Sequence, residues 1–311
     1  MPLLLIFLIF LPYTVHAENL SLDDALRATW TSCVGIDKEI SELKTMAGIS
    51  TAVTATGTAS GIAATAVGAV KSKTDKEIDE LIVELRQEYR NENNGNAYMP
   101  GLDEEIESFK TEFDKLWAEE AAIKSNEEFQ KLDTKSEKLG NWRTGLLAGN
   151  TATNIAGAVI SGTNMVDVNL QDQINTCVES VKTLRKSIIQ AHINGQDTTE
   201  AEHIASVCGE FEYVDISAIN KRAKGATVSS SIGAATGLAG VVTSAIANSD
   251  NVRQGLSQDD RKKNQNLNTS ANALSIGTTA ASIVATTFNA TQIAAINKVA
   301  TVSSECTKAL Q

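Results

Sequence analysis

The chain has 311 residues, with 38 acidic against 27 basic side chains and a formal net charge of −11. That balance excludes nucleic acid as a partner, because phosphate contacts need clustered Lys and Arg. Aromatics make up only 5%, and beyond residue 17 the one proline is Pro100. Proline interrupts helices, so its near absence, together with abundant Ala, Lys, Glu and Leu, predicts an all-α fold of long helices.

Residues 1–17 read as a secretory signal peptide. Residues 3–11 are an apolar run, Pro12 follows, and Val15-His16-Ala17 places small residues before Glu18. The run is too short to cross a bilayer, and no Lys or Arg precedes it. Export predicts a periplasmic, cell-envelope or extracellular location, where disulfides persist. Residues 18–311 read as one helical domain, an elongated antiparallel bundle of two duplicated hairpins, 21–192 and 199–311.

Ser21 and Asp24 have the spacing of a helix start. Leu22, Leu26, Thr29, Cys33, Ile36, Ile40, Leu43 and Ala47 then follow a 4,3,4,3 spacing. That is the a/d pattern of a coiled-coil seam, with Cys33 on it facing a partner. Residues 48–70 carry no charge and are built mostly from Ala, Gly, Ser, Thr and Val.

The stretch 73–140 is different in kind. It holds 19 acidic and 10 basic residues, and it predicts a projecting acidic coiled-coil arm. Ile78, Leu81, Ile82, Leu85 and Tyr89 form one apolar stripe; Leu102, Ile106, Phe109, Phe113, Leu116 and Trp117 form another. Residues 91–101, with Asn94-Gly95 and Pro100-Gly101, predict the turn between them. Ser125 predicts the cap of a further helix.

A second small-residue segment begins at Gly149. After it, Leu170, Ile174, Cys177, Val181, Leu184, Ile188 and Ala191 repeat the seam spacing. Asn194-Gly195 marks a turn, and Thr199 is the expected cap of the helix carrying Ile204, Cys208 and Phe211. Residues 225–248 are again free of charge. The polar run 248–270 reads as a short excursion with a solvated tip at Asp259-Asp260-Arg261-Lys262-Lys263-Asn264, and a fourth small-residue segment follows from Gly277.

The four segments fall into register. Gly57-Thr58-Ala59-Ser60-Gly61 aligns with Gly233-Ala234-Ala235-Thr236-Gly237 at an offset of 176, and Gly149 to Ile155 aligns with Gly277 to Ile283 at an offset of 128. The four cysteines flank the segments on their outer sides in matching positions. Antiparallel hairpins would return each pair to one level, so the spacing predicts Cys33–Cys177 and Cys208–Cys306. Four cysteines allow three pairings, and spacing alone leaves the other two open.

No catalytic, cofactor-binding or metal-binding constellation is present in the sequence. His192 and His203 flank a turn, and the Gly-rich run at 56–61 lacks the Lys of a phosphate loop. The sequence therefore predicts an exported, non-enzymatic helical scaffold that binds a protein partner through the arm at 73–140. A rival reading is a membrane-inserting or pore-forming protein. The charge-free stretches are long enough to cross a bilayer, and Gly57-x-x-x-Gly61 and Gly233-x-x-x-Gly237 have the spacing of close membrane helix contacts. Three glycosylation sequons begin at Asn19, Asn268 and Asn289.

Overall fold

The computed structural model describes residues 20–93 and 105–311, of which residue 93 and residues 105–113 are described by backbone alone. The expected signal peptide at 1–17, the sequon at Asn19, most of the expected turn at 91–101, and Leu102 lie outside the described residues. So do the side chains of Ile106, Phe109 and Phe113. The described residues form an all-α bundle without a strand. Its helices are α1 (Leu22–Cys33), α2 (Ile36–Asn93), α3 (Glu105–Ser125), α4 (Glu127–Thr163) and α5 (Val168–Ile193), followed by α6 (Thr199–Gly209), α7 (Ile216–Ala247), α8 (Asp250–Arg253) and α9 (Gln258–Ala309).

The helix ends follow local side-chain chemistry. Ser21 Oγ accepts the backbone N–H of Asp24 at 3.2 Å and starts α1. The seam from Leu22 to Ala47 is shared by two helices. α1 stops at Cys33, and α2 restarts at Ile36 beyond Gly35, whose φ of +94° is open to glycine and costly for other residues. The cap of α4 is Asn126 rather than Ser125: its Oδ1 accepts from the N–H groups of Glu128 and Phe129. Thr199 does not cap α6 either, because Asp197 accepts both its N–H and its hydroxyl. Asp215 caps α7, and hydrogen bonds from the Ser217 hydroxyl and the Ala218 N–H hold its carboxyl below the usual range.

The chain divides into two compact units. The first comprises Met1–Ser41, Asp167–Val214 and Lys298–Gln311. Its core is apolar in the ordinary way: Leu170, Ile174, Val181, Leu184 and Ile188 of α5 are buried, as are Ala25 of α1 and Phe211 after α6. Cys33 is joined to Cys177 and Cys208 to Cys306, with Cα–Cα separations of 4.8 and 4.6 Å. All four cysteines are buried.

The second unit comprises Glu42–Val166 and Asp215–Asn297. In it α2, α4, α7 and α9 form a ring in which each helix runs antiparallel to its neighbours. Thr65 meets Ser275, Arg143 meets Ser244, and Thr278 meets Thr236. Beyond the ring, α2, α3, the start of α4 and the α8–α9 connection share a small aliphatic core of Ile78, Ile82, Ile123, Phe129 and Leu256. This is the acidic arm. Leu116 and Trp117, expected on an inward stripe, are exposed on it. The expected solvated tip at 259–264 is solvated on one face alone, where Asp259, Lys262 and Lys263 are exposed. Those residues open α9, with Arg261 and Asn264 buried and Arg261 ion-paired to Asp79.

Candidate functional site

The heptad seam does not stop where the small residues begin. In α2 the inward positions run Ala47, Ser50, Thr54, Gly57, Gly61, Ala64, Gly68, Lys71, Asp75, Ile78 and Ile82, all buried and spaced 3,4 throughout. In α4 they run Phe129, Asp133, Ser136, Gly140, Arg143, Leu147, Asn150, Asn154, Gly157 and Ser161. α7 contributes Ile219, Ala223, Ala226, Ser230, Gly233, Gly237, Gly240, Ser244 and Ala247. α9 keeps the same spacing from Arg261 through Asn289 and Gln292. The interior of the ring is thus small and polar, where a water-soluble bundle would place Leu and Ile.

Many of its side chains bond one another across helices, although Asn150 Nδ2, Ser230 Oγ and Gln292 Oε1 are buried without a partner among the described residues. At one level Ser50 and Ser161 lie 2.7 Å apart, Ser161 donates to Asn289 at 3.1 Å, and Asn289 donates to Thr54 at 3.3 Å. Two turns further along, Asn154 donates to Ser282 at 2.9 Å and to Asn150 Oδ1 at 2.9 Å, and Ser282 donates to Asn150 at 3.0 Å. The glycines make room for these groups. A Cβ on Gly233 would lie 2.7 Å from Asn154 Oδ1, and one on Gly157 would lie 2.7 Å from the Thr54 methyl. The aligned partners behave alike: Gly57, Gly61, Gly233 and Gly237 all face inward, while Gly149 and Gly277 both face open space. Residues 128 positions apart also meet directly, as Asn154 with Ser282, Ser161 with Asn289, and Gln292 Nε2 with the Asn164 carbonyl at 2.7 Å.

Charged groups enter the interior only towards the arm. Arg143 is fully buried and donates to Ser244, Asn272 and Asn268 at 2.9–3.0 Å. Asn268 donates on to Asp75 at 2.7 Å. Lys71 is equally buried and donates to Asp75 at 3.0 Å and to Ser136 at 2.8 Å. Arg253 closes the series against Asp133.

The outside of the ring is the converse of its inside. Ile49, Ile62 and Val70 of α2 are exposed, as are Ile155 and Val159 of α4. So are Val228, Ile232, Leu238, Val242 and Ile246 of α7, and Ile276, Ile283 and Val284 of α9. Their exposures run from 45 to 62%. Outward-facing charge is missing over 45–70, 139–166, 225–249 and 264–297, because the one charge in those ranges is the inward Arg143. Lys44, Lys138, Asp250, Lys263 and Lys298 stand just past the ends. Among the described residues two helical stretches, Leu22–Glu92 and Thr199–Ala247, are long and apolar enough to cross a membrane, and their apolar windows are only 28% and 33% buried.

The sequons at Asn268 and Asn289 lie on buried side chains. Both histidines, His192 and His203, are exposed. Among the described residues, the grouping that could hold a metal is Cys33, Cys177 and Cys306, and their sulfurs are committed to disulfides. Compared with known proteins, the chain matches no family model, no curated protein and no solved structure.

Proposed function

We propose that this protein is a non-enzymatic, membrane-inserted helical bundle in which α2, α4, α7 and α9 cross a bilayer. One observation carries the reading: the ring is polar and small inside, apolar and free of charge outside. In water such an arrangement leaves the main driving force unused. Each outward Ile, Val or Leu, being about half exposed, forgoes roughly half of the about 1.5–3 kcal/mol that full burial contributes, and an interior of Gly, Ser and Asn recovers little of it. In hydrocarbon the balance reverses. Lipid solvates the outward side chains, and helices associate through small residues and interhelical hydrogen bonds. The shortest of the four stretches without outward charge, 225–249, has 25 residues. At about 1.5 Å per residue it exceeds a hydrocarbon core of about 30 Å.

The matched offsets support two halves related by an internal two-fold axis, since residues 128 apart then face each other across that axis. By chain order, four crossings leave the segments holding the four cysteines on one side and the arm at 73–140 on the other. Export of the cysteine side agrees with its disulfides. The arm's exposed Leu116 and Trp117 support a protein-binding role for it. The ionisable groups of the interior are occupied by one another, which supports a structural rather than a catalytic part for them.

The test is fractionation of expressing cells, then a wash of the membranes in alkaline carbonate. Retention of the full chain is the expected result. Release into the wash would overturn insertion and leave an exported soluble scaffold.

A further inference from the structure

The exposed face of α4 carries a basic stripe in an otherwise acidic arm. Lys131, Lys135, Lys138 and Trp142 recur at intervals of four, three and four residues, so they line one side of the helix. All four are exposed, Trp142 to 69%. Among the described residues no carboxylate lies within ion-pairing distance of the three lysines; carboxylates of the arm pair elsewhere, Glu119 with Arg86 and Arg90, Asp133 and Glu137 with Arg253, and Asp79 with Arg261. The stripe borders an open groove of about 690 Å³, which also touches Val67 and Leu139. Val67 and Leu139 belong to the charge-free belt, and Lys138 is the first charge beyond it on α4. The groove is therefore amphipathic along its length, apolar at the belt and cationic at the arm.

We propose that this groove binds an anionic phospholipid, with the headgroup phosphate among Lys131, Lys135 and Lys138 and the acyl chain along Val67, Leu139 and Trp142. The inference rests on the membrane reading above and goes beyond it in naming a lipid class and its residues. A phosphate needs several donors not already ion-paired, and three ammonium groups at one-turn intervals supply them, with Glu127 a turn before Lys131. An indole at the belt edge takes the interfacial position that Trp favours. Basic side chains just outside a span attract anionic lipid over zwitterionic lipid. Glu127 lines the far end of the groove and limits the cationic part to these three positions.

The test uses the full chain reconstituted separately in phosphatidylcholine vesicles and in vesicles of equal phosphatidylcholine and phosphatidylglycerol. Flotation in alkaline carbonate reports insertion. Native mass spectrometry of the re-extracted protein reports which lipid stays bound. Trp30→Phe and Trp117→Phe leave Trp142 as the one indole, and bromine-labelled acyl chains report its depth. Flotation in both vesicle types, retained phosphatidylglycerol and strong quenching of Trp142 are expected. Lys131→Gln, Lys135→Gln and Lys138→Gln together should still float but lose bound phosphatidylglycerol, roughly fivefold for each lysine removed; the three Arg variants should keep it. Failure to float in either vesicle overturns the membrane reading and the lipid site with it. Flotation without phosphatidylglycerol enrichment, or enrichment unchanged in the triple Gln variant, overturns the lipid site alone.

Discussion

Replacement of Gly233 by Ala gives a sharp test of the inward-facing glycines. The new Cβ would lie 2.7 Å from Asn154 Oδ1, 2.8 Å from its Cγ and 3.0 Å from its Nδ2. Asn154 has little freedom to withdraw. Its amide nitrogen lies 3.0 Å from the Asn150 carbonyl, 2.9 Å from Asn150 Oδ1 and 2.9 Å from Ser282 Oγ, and its oxygen lies 3.2 Å from the same hydroxyl. Overpacking a close-fitted interior costs about 1–3 kcal/mol, and each displaced hydrogen bond adds about 1 kcal/mol. Opposing these is the helix propensity of Ala over Gly, about 1 kcal/mol. The net expectation is a loss of about 1–3 kcal/mol, set by the packing and hydrogen-bond terms that outweigh propensity. Gly149→Ala is the control, since no atom lies within 4 Å of its Cβ position; there only the propensity gain of up to about 1 kcal/mol remains. The two variants should therefore shift the unfolding midpoint of the full chain in opposite directions, measured by circular dichroism under conditions that keep the wild type folded. A Gly233→Ala midpoint equal to or above that of Gly149→Ala would refute the account of the interior.

Lys71→Met should destabilise the second unit by about 3–5 kcal/mol, because it strands a buried Asp75 carboxylate; adding Asp75→Leu should recover much of the loss, read as a denaturation midpoint. Replacing Cys208 and Cys306 by Ser should cost about 2–5 kcal/mol, seen as a lower melting temperature that reductant no longer changes further at that pair. Asp215→Asn should flatten the acid limb of the stability profile. The folded carboxyl is held below its ordinary value chiefly by the Ser217 hydroxyl and then the Ala218 N–H, so its contribution is present above the unfolded pKa and lost as pH falls through the folded one. Unfolding followed below about pH 4 checks it, and identical acid limbs would count against the cap.

The helical class was legible because proline is nearly absent and the apolar stripes of α1 and α5 keep a strict period. The seam of α5 was read residue by residue, and Leu170, Ile174, Cys177, Val181, Leu184, Ile188 and Ala191 are all buried. Boundaries were less legible where two neighbouring residues offer the same chemistry. Ser125 and Asn126 can both accept from an N–H, and so can Asp197 and Thr199; only backbone geometry selects between them. Gly35 was hidden by the seam itself, since Cys33 and Ile36 keep the period across the break. The run from Asp259 to Asn264 looked solvated by composition. Arg261 and Asn264 sit three apart on one face, and Asp79 on α2 supplies the carboxylate that lets Arg261 be buried. That partner is 182 positions away, beyond the reach of any local pattern.

The interior of the ring was missed for a different reason. Hydrophobic periodicity finds a seam by contrast, apolar positions against polar ones, and in the small-residue segments the contrast is reversed. Ser50, Thr54, Gly57 and Gly61 continue the 3,4 spacing that Ile36 and Ile40 begin, while Ile49 and Ile62 face outward. A search for apolar residues at that spacing therefore sees noise, and a search for low complexity sees repetition without direction. The period becomes visible once Gly, Ser and Asn are counted as the buried class, which is the choice appropriate to helices packed in hydrocarbon rather than water. The same reversal fits the place of the aliphatic cluster of the second unit, which lies in the arm. Ile78, Ile82, Ile123 and Phe129 lie beyond Lys71 and Arg143. There the exterior is rich in charge and water again rewards burying large side chains. The switch from a polar to an aliphatic interior and the return of outward charge thus fall at the same place along the helices, and under the proposed membrane insertion a single change of solvent would account for both.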